Sequence, residues 1–154
     1  DLRRPSQQRL VGTKNNRGLV DMLSGNATVD DMVVDTDFQN LSFIPSGEHP
    51  PAPLELLVGT QFGALIDELK QKFDYVLIDS PPLLGLADAL IIGSKVESVI
   101  YVIEAGRNSR ASVENSLEKL YDAGIQVSGA ALTKFDASSQ GYGYNYQSEY
   151  SYSY

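Results

Sequence analysis

The most distinctive candidate for chemistry in the body of the chain is Asp79, which ends an apolar run and precedes two prolines. Residues 75–78 are apolar and rich in branched side chains, which predicts a strand. In open α/β sheets, ligands bind at the carboxyl ends of the strands. A carboxylate there suits a phosphate-bound Mg²⁺, held directly or through water. The same aspartate also fits a cap on the following turn, since Pro81 and Pro82 prevent a helix from forming at once.

A second group of charged side chains stands at the start of the chain, in the sequence Asp1-Leu2-Arg3-Arg4-Pro5. Arginines in a loop can neutralise phosphate charge with bidentate geometry, and Asp1 adds a carboxylate. The pentapeptide also fits an ordinary surface loop. No helix or strand is predicted ahead of it, so we expect residue 1 to lie inside a domain.

Tyrosines are concentrated at the end of the chain. Six of them fall in the last 13 residues: Tyr142, Tyr144, Tyr146, Tyr150, Tyr152 and Tyr154. The surrounding Gly, Ser, Asn and Gln bury too little surface to offset backbone entropy, so 137–154 is expected to be flexible. A flexible array of phenols can present each hydroxyl to an active site as a phosphoryl acceptor. A self-associating low-complexity tail is the alternative.

Composition excludes several kinds of site. The chain has no Cys and a single His, so thiolate chemistry and zinc sites rich in Cys or His are ruled out. His49 lies in a Pro-rich loop and is predicted to be a surface residue without a metal role. The net charge is −8, and residues 18–154 carry 7 basic against 19 acidic side chains, so no nucleic-acid partner is expected. No apolar run approaches the length of a membrane span, and the chain itself is expected to be soluble.

Alternating strands and helices must position these groups, which predicts an α/β fold with a mostly parallel sheet flanked by helices. Strands are predicted at 41–44, 75–78, 98–103 and 127–132. The second and third are expected to be buried on both faces. Short helices are predicted at 18–25, 28–33 and 87–92. One more helix is predicted to begin at Pro53, and another after a cap at Thr60. The last is predicted to begin after a cap at Asn108 or Ser109 and to end at Gly124.

Helical spacing also predicts which side chains point inward. In the helix capped by Thr60 these are Phe62, Leu65, Ile66 and Leu69, and in the helix ended by Gly124 they are Val113, Leu117, Leu120 and Tyr121. Glu104, Arg107 and Arg110 cluster where a strand passes into a helix. A charge cluster at the start of a helix and a position at the edge of a ligand site are both compatible with that placement.

Taken together, these segments resemble the bacterial tyrosine kinase (BY-kinase) family of capsular and exopolysaccharide assembly. Residues 1–5 are similar to the end of the family's Walker A′ motif, with Asp1 as its second aspartate and Arg3 as its arginine. Residues 41–57 are similar to the family's segment before Walker B, and 73–82 match Walker B with Asp79 as the acidic residue. The tail matches the C-terminal tyrosine cluster, so the resemblance spans essentially the whole chain.

The resemblance implies a P-loop NTPase-like fold of the deviant Walker type. Residues 1–136 would be the C-terminal part of the kinase domain, and 137–154 the flexible tyrosine cluster. ATP and Mg²⁺ are the implied cofactors: Asp1 and Asp79 would be catalytic and hold the metal directly or through water, and Arg3 and Asp79 would bind the cofactor. The six tail tyrosines would be the phosphoacceptors.

The resemblance also implies partners and a location. These are a homo-oligomeric ring in which the tail of one subunit enters the site of the next, a membrane chain-length-determining partner or upstream segment, and a tyrosine phosphatase. The implied location is the cytoplasmic face of the bacterial inner membrane.

Two features depart from the family pattern. No G-x-x-x-x-G-K-[ST] loop occurs in the 154 residues, so this chain alone is expected to be inactive and to bind ATP poorly. Thr133 stands where relatives usually place an asparagine near the adenine. Two other functions stay open: a non-catalytic phosphoacceptor and assembly module, and a partition-type ATPase with the same deviant Walker architecture.

Overall fold

Short helices alternate with strands along the chain, as the sequence predicts. The computed structural model describes residues 1–13 and 17–136. Its helices are Gln7–Leu10 (α1), Leu19–Leu23 (α2), Val29–Met32 (α3), Pro53–Val58 (α4), Thr60–Lys72 (α5), Asp88–Gly93 (α6) and Arg110–Asp122 (α7). Its strands are Val34–Asp35 (β1), Ser42–Phe43 (β2), Val99–Glu104 (β3) and Val127–Thr133 (β4). Within these residues, no helix is both long enough and apolar enough to cross a bilayer.

The core is built on α5, whose four inward residues are all buried as predicted. They pack with Leu2 from the start of the chain and with Met32 and Leu57 from neighbouring helices. Thr60 is not the cap that its residue type predicts but the first helical residue, because Gly59 ends α4 and caps α5 at once. No room is left for Thr60 to adopt the extended backbone of a cap.

Local caps fix the short helices where the sequence predicts them. Thr28 accepts a hydrogen bond from the amide of Asp31, and the Asp31 carboxylate accepts one from the amide of Thr28. Pro53 is the first residue of α4, and the Ser109 hydroxyl accepts from the Ser112 amide to start α7. Gly124 follows α7 with a φ of +68°, a conformation that favours glycine.

The α7 helix is less buried than its spacing predicts. Leu120 is buried and Val113 is half-buried, but Leu117 is partly exposed and Tyr121 is 83% exposed. The prediction that Tyr121 points inward is therefore wrong. In this helix the covered stripe runs through Ser116 and Leu120, so Tyr121 lies one position beyond it.

Strands β3 and β4 pair in parallel along their full length, from Val99 opposite Val127 to Glu104 opposite Thr133. This pair and its connecting helix α7 form the predicted parallel unit. Strands β1 and β2 form a small antiparallel pair that the sequence does not predict, because β1 is only 2 residues long.

Residues 75–78, which precede Asp79, are extended but have no ladder partner in the part of the chain that the structure describes. Val76 and Ile78 pack against the core, whereas Tyr75 and Leu77 are each 88% exposed. The prediction that residues 75–78 are buried on both faces is wrong, because no described strand pairs with this segment; a cavity of about 260 Å³ lies between it and other parts of the chain. Strand β3 likewise leaves Ile100 and Val102 largely exposed.

Candidate functional site

The fold brings together the two carboxylate residues that the sequence singles out. The amino-terminal nitrogen of Asp1 donates to the carbonyl oxygen of Asp79 at 3.0 Å, across 78 positions of sequence. Asp79 stands at the end of the extended segment that begins after α5. The first residue of the chain and the end of this segment therefore lie side by side.

The carboxylate of Asp1 is held by the loop that follows it. Its Oδ1 accepts a hydrogen bond from the amide of Arg3 at 2.8 Å and a second from the amide of Arg4 at 3.2 Å. Aspartate favours such bonds to amides two and three residues ahead, and they give the carboxylate a defined direction. Leu2, only 5% exposed, anchors the same loop in the core.

The carboxylate of Asp79 is exposed and meets a residue that sequence reasoning missed. Its Oδ2 accepts a hydrogen bond from Gln7 Nε2 at 3.2 Å. Gln7 is the first residue of α1, a helix that the sequence does not predict because it is only 4 residues long. A glutamine just after a Pro-Ser pair carries no signal of this role, and only the three-dimensional contact reveals it.

Arg3 points to a carboxylate rather than to open space. Its Nε and Nη2 donate to Oδ2 and Oδ1 of Asp88, each at 2.8 Å, which is the bidentate fork of an arginine–carboxylate pair. The Asp88 side chain is 1% exposed, whereas that of Arg3 is 35% exposed. The hydrogen bonds from Arg3 lower the pKa of the Asp88 carboxyl below its ordinary value.

Asp88 is the second residue that sequence reasoning missed. Its only sequence signal is a charged residue at the start of the predicted helix 87–92, where an aspartate is ordinary. The structure shows instead that it is the one buried carboxylate in the described part of the chain. Its position on α6, shortly after Pro81 and Pro82, returns the chain from Asp79 to the loop of Arg3.

The oxygen donors at Asp1 and Asp79 fit magnesium. Mg²⁺ prefers carboxylate oxygens, keeps several waters and takes phosphate oxygens as further ligands, so one or two carboxylates suffice. Among the described residues, no group of three or more His, Cys, Asp or Glu side chains is arranged to hold a metal. A cage built wholly from protein is therefore not formed by them, and the fit is to a metal that arrives with a phosphate ligand.

The other predicted charges form a surface network. Glu104 accepts hydrogen bonds from Arg107 at 3.1 Å and from Lys134 at 2.8 Å, at the carboxyl ends of β3 and β4. These contacts lower the pKa of the Glu104 carboxyl. Arg110 pairs separately with Glu114 in the first turns of α7. The arrangement matches the interpretation of a charge cluster at the start of a helix.

The remaining sequence predictions concern Thr133, His49 and the tail. The hydroxyl of Thr133 donates to the carbonyl oxygen of Ile103 at 3.2 Å. His49 is exposed, with Nδ1 3.0 Å from the carbonyl oxygen of Leu2. The predicted acceptor tyrosines 142–154 lie outside the described residues.

Known proteins match this chain in sequence over nearly its whole length. It is 37% identical over 152 residues to the tyrosine-protein kinase wzc of Salmonella typhi, which covers 99% of this chain and 21% of that protein. It is 38% identical over 127 residues to the tyrosine-protein kinase CpsD of Streptococcus agalactiae, covering 82% of this chain and 56% of that protein. The chain therefore spans between about a fifth and somewhat over half of these relatives.

The fold matches as well. The kinase domain of the Escherichia coli tyrosine kinase ETK superposes with a TM-score of 0.81 at 27% identity, covering 100% of this chain and 58% of that one. The AAA domain family matches residues 6–123. The predicted resemblance to bacterial tyrosine kinases and the predicted P-loop α/β fold are thus confirmed, and the chain belongs to the AAA domain family.

Proposed function

We propose that the full-length protein is a protein-tyrosine autokinase, which transfers the γ-phosphoryl group of ATP to tyrosines of its own C-terminal tail and thereby regulates capsule or exopolysaccharide polymerisation and export. The observation that carries the proposal is the junction of Asp1 with Asp79, two acidic positions far apart in sequence. The sequence likeness to tyrosine-protein kinases supports it, since one alignment includes 152 of the 154 residues and so reaches into the tail.

Asp79 and Asp1 would hold Mg²⁺, directly or through water. The metal would neutralise charge on the phosphates and on the group being transferred. Phosphoryl transfer demands mostly positioning and charge neutralisation, and both depend on fixed ligands. The two amides that hold the Asp1 carboxylate, and the Gln7 amide that holds that of Asp79, keep these oxygens in place before any ligand arrives.

The acceptor would be a phenol of the tail. A tyrosine has a pKa of about 10, so at neutral pH its proton must leave as the new bond forms. The phenol oxygen bonds to the γ-phosphorus, the bond to the β,γ-bridging oxygen breaks, and ADP leaves with that oxygen. Asp1 is the proposed acceptor of the phenol proton, because two amides of its own loop direct its carboxylate, and in that role it would contact the metal only through water.

The partners and location proposed for the protein are those that the resemblance to bacterial tyrosine kinases implies. A homo-oligomeric ring would bring the tail of one subunit to the site of the next, and a tyrosine phosphatase would reverse the modification. A membrane chain-length-determining partner or upstream segment would hold the kinase at the cytoplasmic face of the bacterial inner membrane. The acidic body of the chain supports the absence of a nucleic-acid partner.

The test is ATP-dependent tyrosine phosphorylation of the purified full-length protein, measured with an anti-phosphotyrosine antibody and by mass spectrometry of the tail. We expect Asp79→Ala to lower the signal at least about a hundredfold, the scale of removing a group that stabilises transition-state charge. Replacing all six tail tyrosines by Phe should abolish it. Asp74→Ala is the matched control, because Asp74 is an exposed aspartate at the other end of the same segment, and it should keep the signal.

The outcomes separate the proposal from its alternatives. Phosphorylation that persists in both Asp79→Ala and the six-Phe variant contradicts the kinase assignment. Modification of the tail only when a separate kinase is added favours the acceptor and assembly module. ATP hydrolysis without tyrosine phosphorylation favours a partition-type ATPase.

A further inference from the structure

We propose that Asp88 is a positioning residue for the phosphoryl-transfer site, acting through Arg3 to fix the Asp1 carboxylate beside Asp79. The inference rests on the proposed kinase function. It assigns the Arg3 guanidinium to its paired hydrogen bonds with Asp88, called the clamp below, instead of to the phosphates. Asp88 itself touches neither of the two site aspartates in any hydrogen bond of the structure. Asp88 would act on the Asp1 carboxylate through the Arg3 side chain and then through the Arg3 backbone amide.

The burial of Asp88 dictates where Arg3 must be. Placing a carboxylate in the interior costs several kcal/mol unless a cation and hydrogen bonds compensate it. Both oxygens of Asp88 are satisfied by the Nε and Nη2 of Arg3 at 2.8 Å, so the planar guanidinium has one defined orientation. A lysine could supply the charge in its place but not the paired geometry.

The Arg3 backbone carries this constraint to the site. The amide of Arg3 donates to Oδ1 of Asp1 at 2.8 Å. Leu2, between them, is buried in the core, and its carbonyl oxygen lies 3.0 Å from His49 Nδ1. With Leu2 and the Arg3 side chain both fixed, the loop has little freedom to turn the Asp1 carboxylate away.

The clamp also closes the loop on the other side of the site. Asp1 is joined to Asp79 through the main chain, and Arg3 is joined to Asp88 through side chains. The two stretches 1–3 and 79–88 are thus tied at both ends. Movement of α6 away from Arg3 would open this frame and shift the two site aspartates relative to each other.

The pairing favours a role of Arg3 in orientation over a role as a phosphate ligand. Two of its nitrogens are engaged by a carboxylate that has no other cation partner in the described residues, and the pair as a whole is neutral. Taking Arg3 to a phosphate would strand a buried negative charge on Asp88. A role in orientation needs no such rearrangement.

The experiment measures autophosphorylation kinetics of the full-length protein, with ATP varied, for Asp88→Asn, Arg3→Lys and the double variant. We expect each single variant to lower kcat about tenfold or more, because small misplacement of reacting groups is costly, while KM for ATP changes less than about twofold. The double variant should be no slower than the slower single variant, since both break the same clamp. Asp30→Asn, which removes an exposed partner of Lys72, is the control and should match the wild type.

A second readout separates positioning from general stability. Hydrogen exchange of the Arg3 and Arg4 amides, followed by NMR, should be at least about tenfold faster in Asp88→Asn, while amides in the middle of α5 exchange at the wild-type rate. Lower kcat without faster exchange at these amides overturns the proposal. So does a loss confined to KM for ATP, which would make Arg3 a phosphate ligand.

The proposal and the proposed function fail differently. A wild-type protein with no ATP-dependent tyrosine phosphorylation contradicts the kinase function, whereas active wild type with unchanged Asp88→Asn and Arg3→Lys contradicts the clamp. If Asp88→Asn does not fold, Arg3→Lys decides, because that side chain reaches solvent and keeps its charge.

Discussion

Among the described glycines, Gly18 has the least room for a side chain, so Gly18→Ala is predicted to lower the stability of the fold. Its φ is −176°, an extended conformation that alanine adopts without strain, so backbone preference does not oppose the substitution. The effect depends instead on the space around Gly18. A Cβ at this position would overlap the carbonyl oxygen of Pro45, and it would lie 2.5 Å from the nitrogen of Gly47 and 2.7 Å from the Pro45 carbonyl carbon.

The cost can be built from the contacts that must move. All three clashing atoms belong to main chain, and the Pro45–Ser46 strip accepts hydrogen bonds from Leu19 at 2.9 Å and Val20 at 3.0 Å. Overpacking of this kind costs about 1–3 kcal/mol, and losing one of the hydrogen bonds costs about 1 kcal/mol more. Alanine returns about 0.4–1 kcal/mol by restricting the unfolded chain. The net expectation for Gly18→Ala is a loss of about 1–3.5 kcal/mol.

Gly63→Ala is the matched control with the opposite expected sign. Gly63 lies inside α5, and apart from its neighbours and the backbone of its own helix no atom lies within 4 Å of the place where its Cβ would stand. Alanine there should stabilise the helix by up to about 1 kcal/mol. The assay is urea unfolding followed by circular dichroism at 222 nm. The reasoning is refuted if Gly18→Ala unfolds within about 0.5 kcal/mol of wild type, or if both variants shift in the same direction.

Two further variants test single contacts by the same assay. Asp88 has a lowered pKa in the folded state because of Arg3, so its stabilising contribution is present above the ordinary aspartate pKa of about 3.9 and is lost as the pH falls through the folded value. Asp88→Asn should therefore be less stable than wild type at pH 5–7, and the difference in unfolding free energy should narrow as the pH falls below the ordinary aspartate pKa. A difference that does not narrow would show that the pair adds nothing through ionisation. Thr28→Ala removes the cap of α3 and should cost about 0.5–2 kcal/mol, whereas Thr60→Ala, at an exposed threonine that starts α5 without capping it, serves as its comparison and should cost less.

Sequence patterns predicted the elements whose physics is local. Helical spacing identified the buried face of α5, and cap residues located the starts of α3, α4 and α7, because both signals depend on neighbours within four residues. Strand pairing between β3 and β4 followed from the α/β alternation. The same local reasoning failed for Tyr121 and for the two-sided burial of 75–78, since exposure there depends on what packs from distant parts of the chain.

The residues of the candidate site also fall into those that the sequence predicts and those that only contacts distant in sequence reveal. Asp1, Arg3 and Asp79 were singled out by residue type and by resemblance, but Gln7 and Asp88 were not, because their roles are pair contacts across 72 and 85 positions. Nothing in a glutamine at a helix start or an aspartate before an apolar helix indicates such partners. The assignment of Arg3 to a cofactor stays a prediction, and the fork with Asp88 supplies the competing role that the kinetic test decides.

The joining of Asp1 to Asp79 has a consequence for the order in which the molecule loses structure. Closing a chain segment of 78 residues costs about 4 kcal/mol of loop entropy from the (3/2)RT ln n relation, whereas the contacts within α5 and α7 require almost none. The core shares this closure, because Leu2 next to Asp1 packs with Met32 and Leu57. We expect the chain to lose its candidate site together with the core that holds Leu2, so that one urea transition removes both the site and the helical signal.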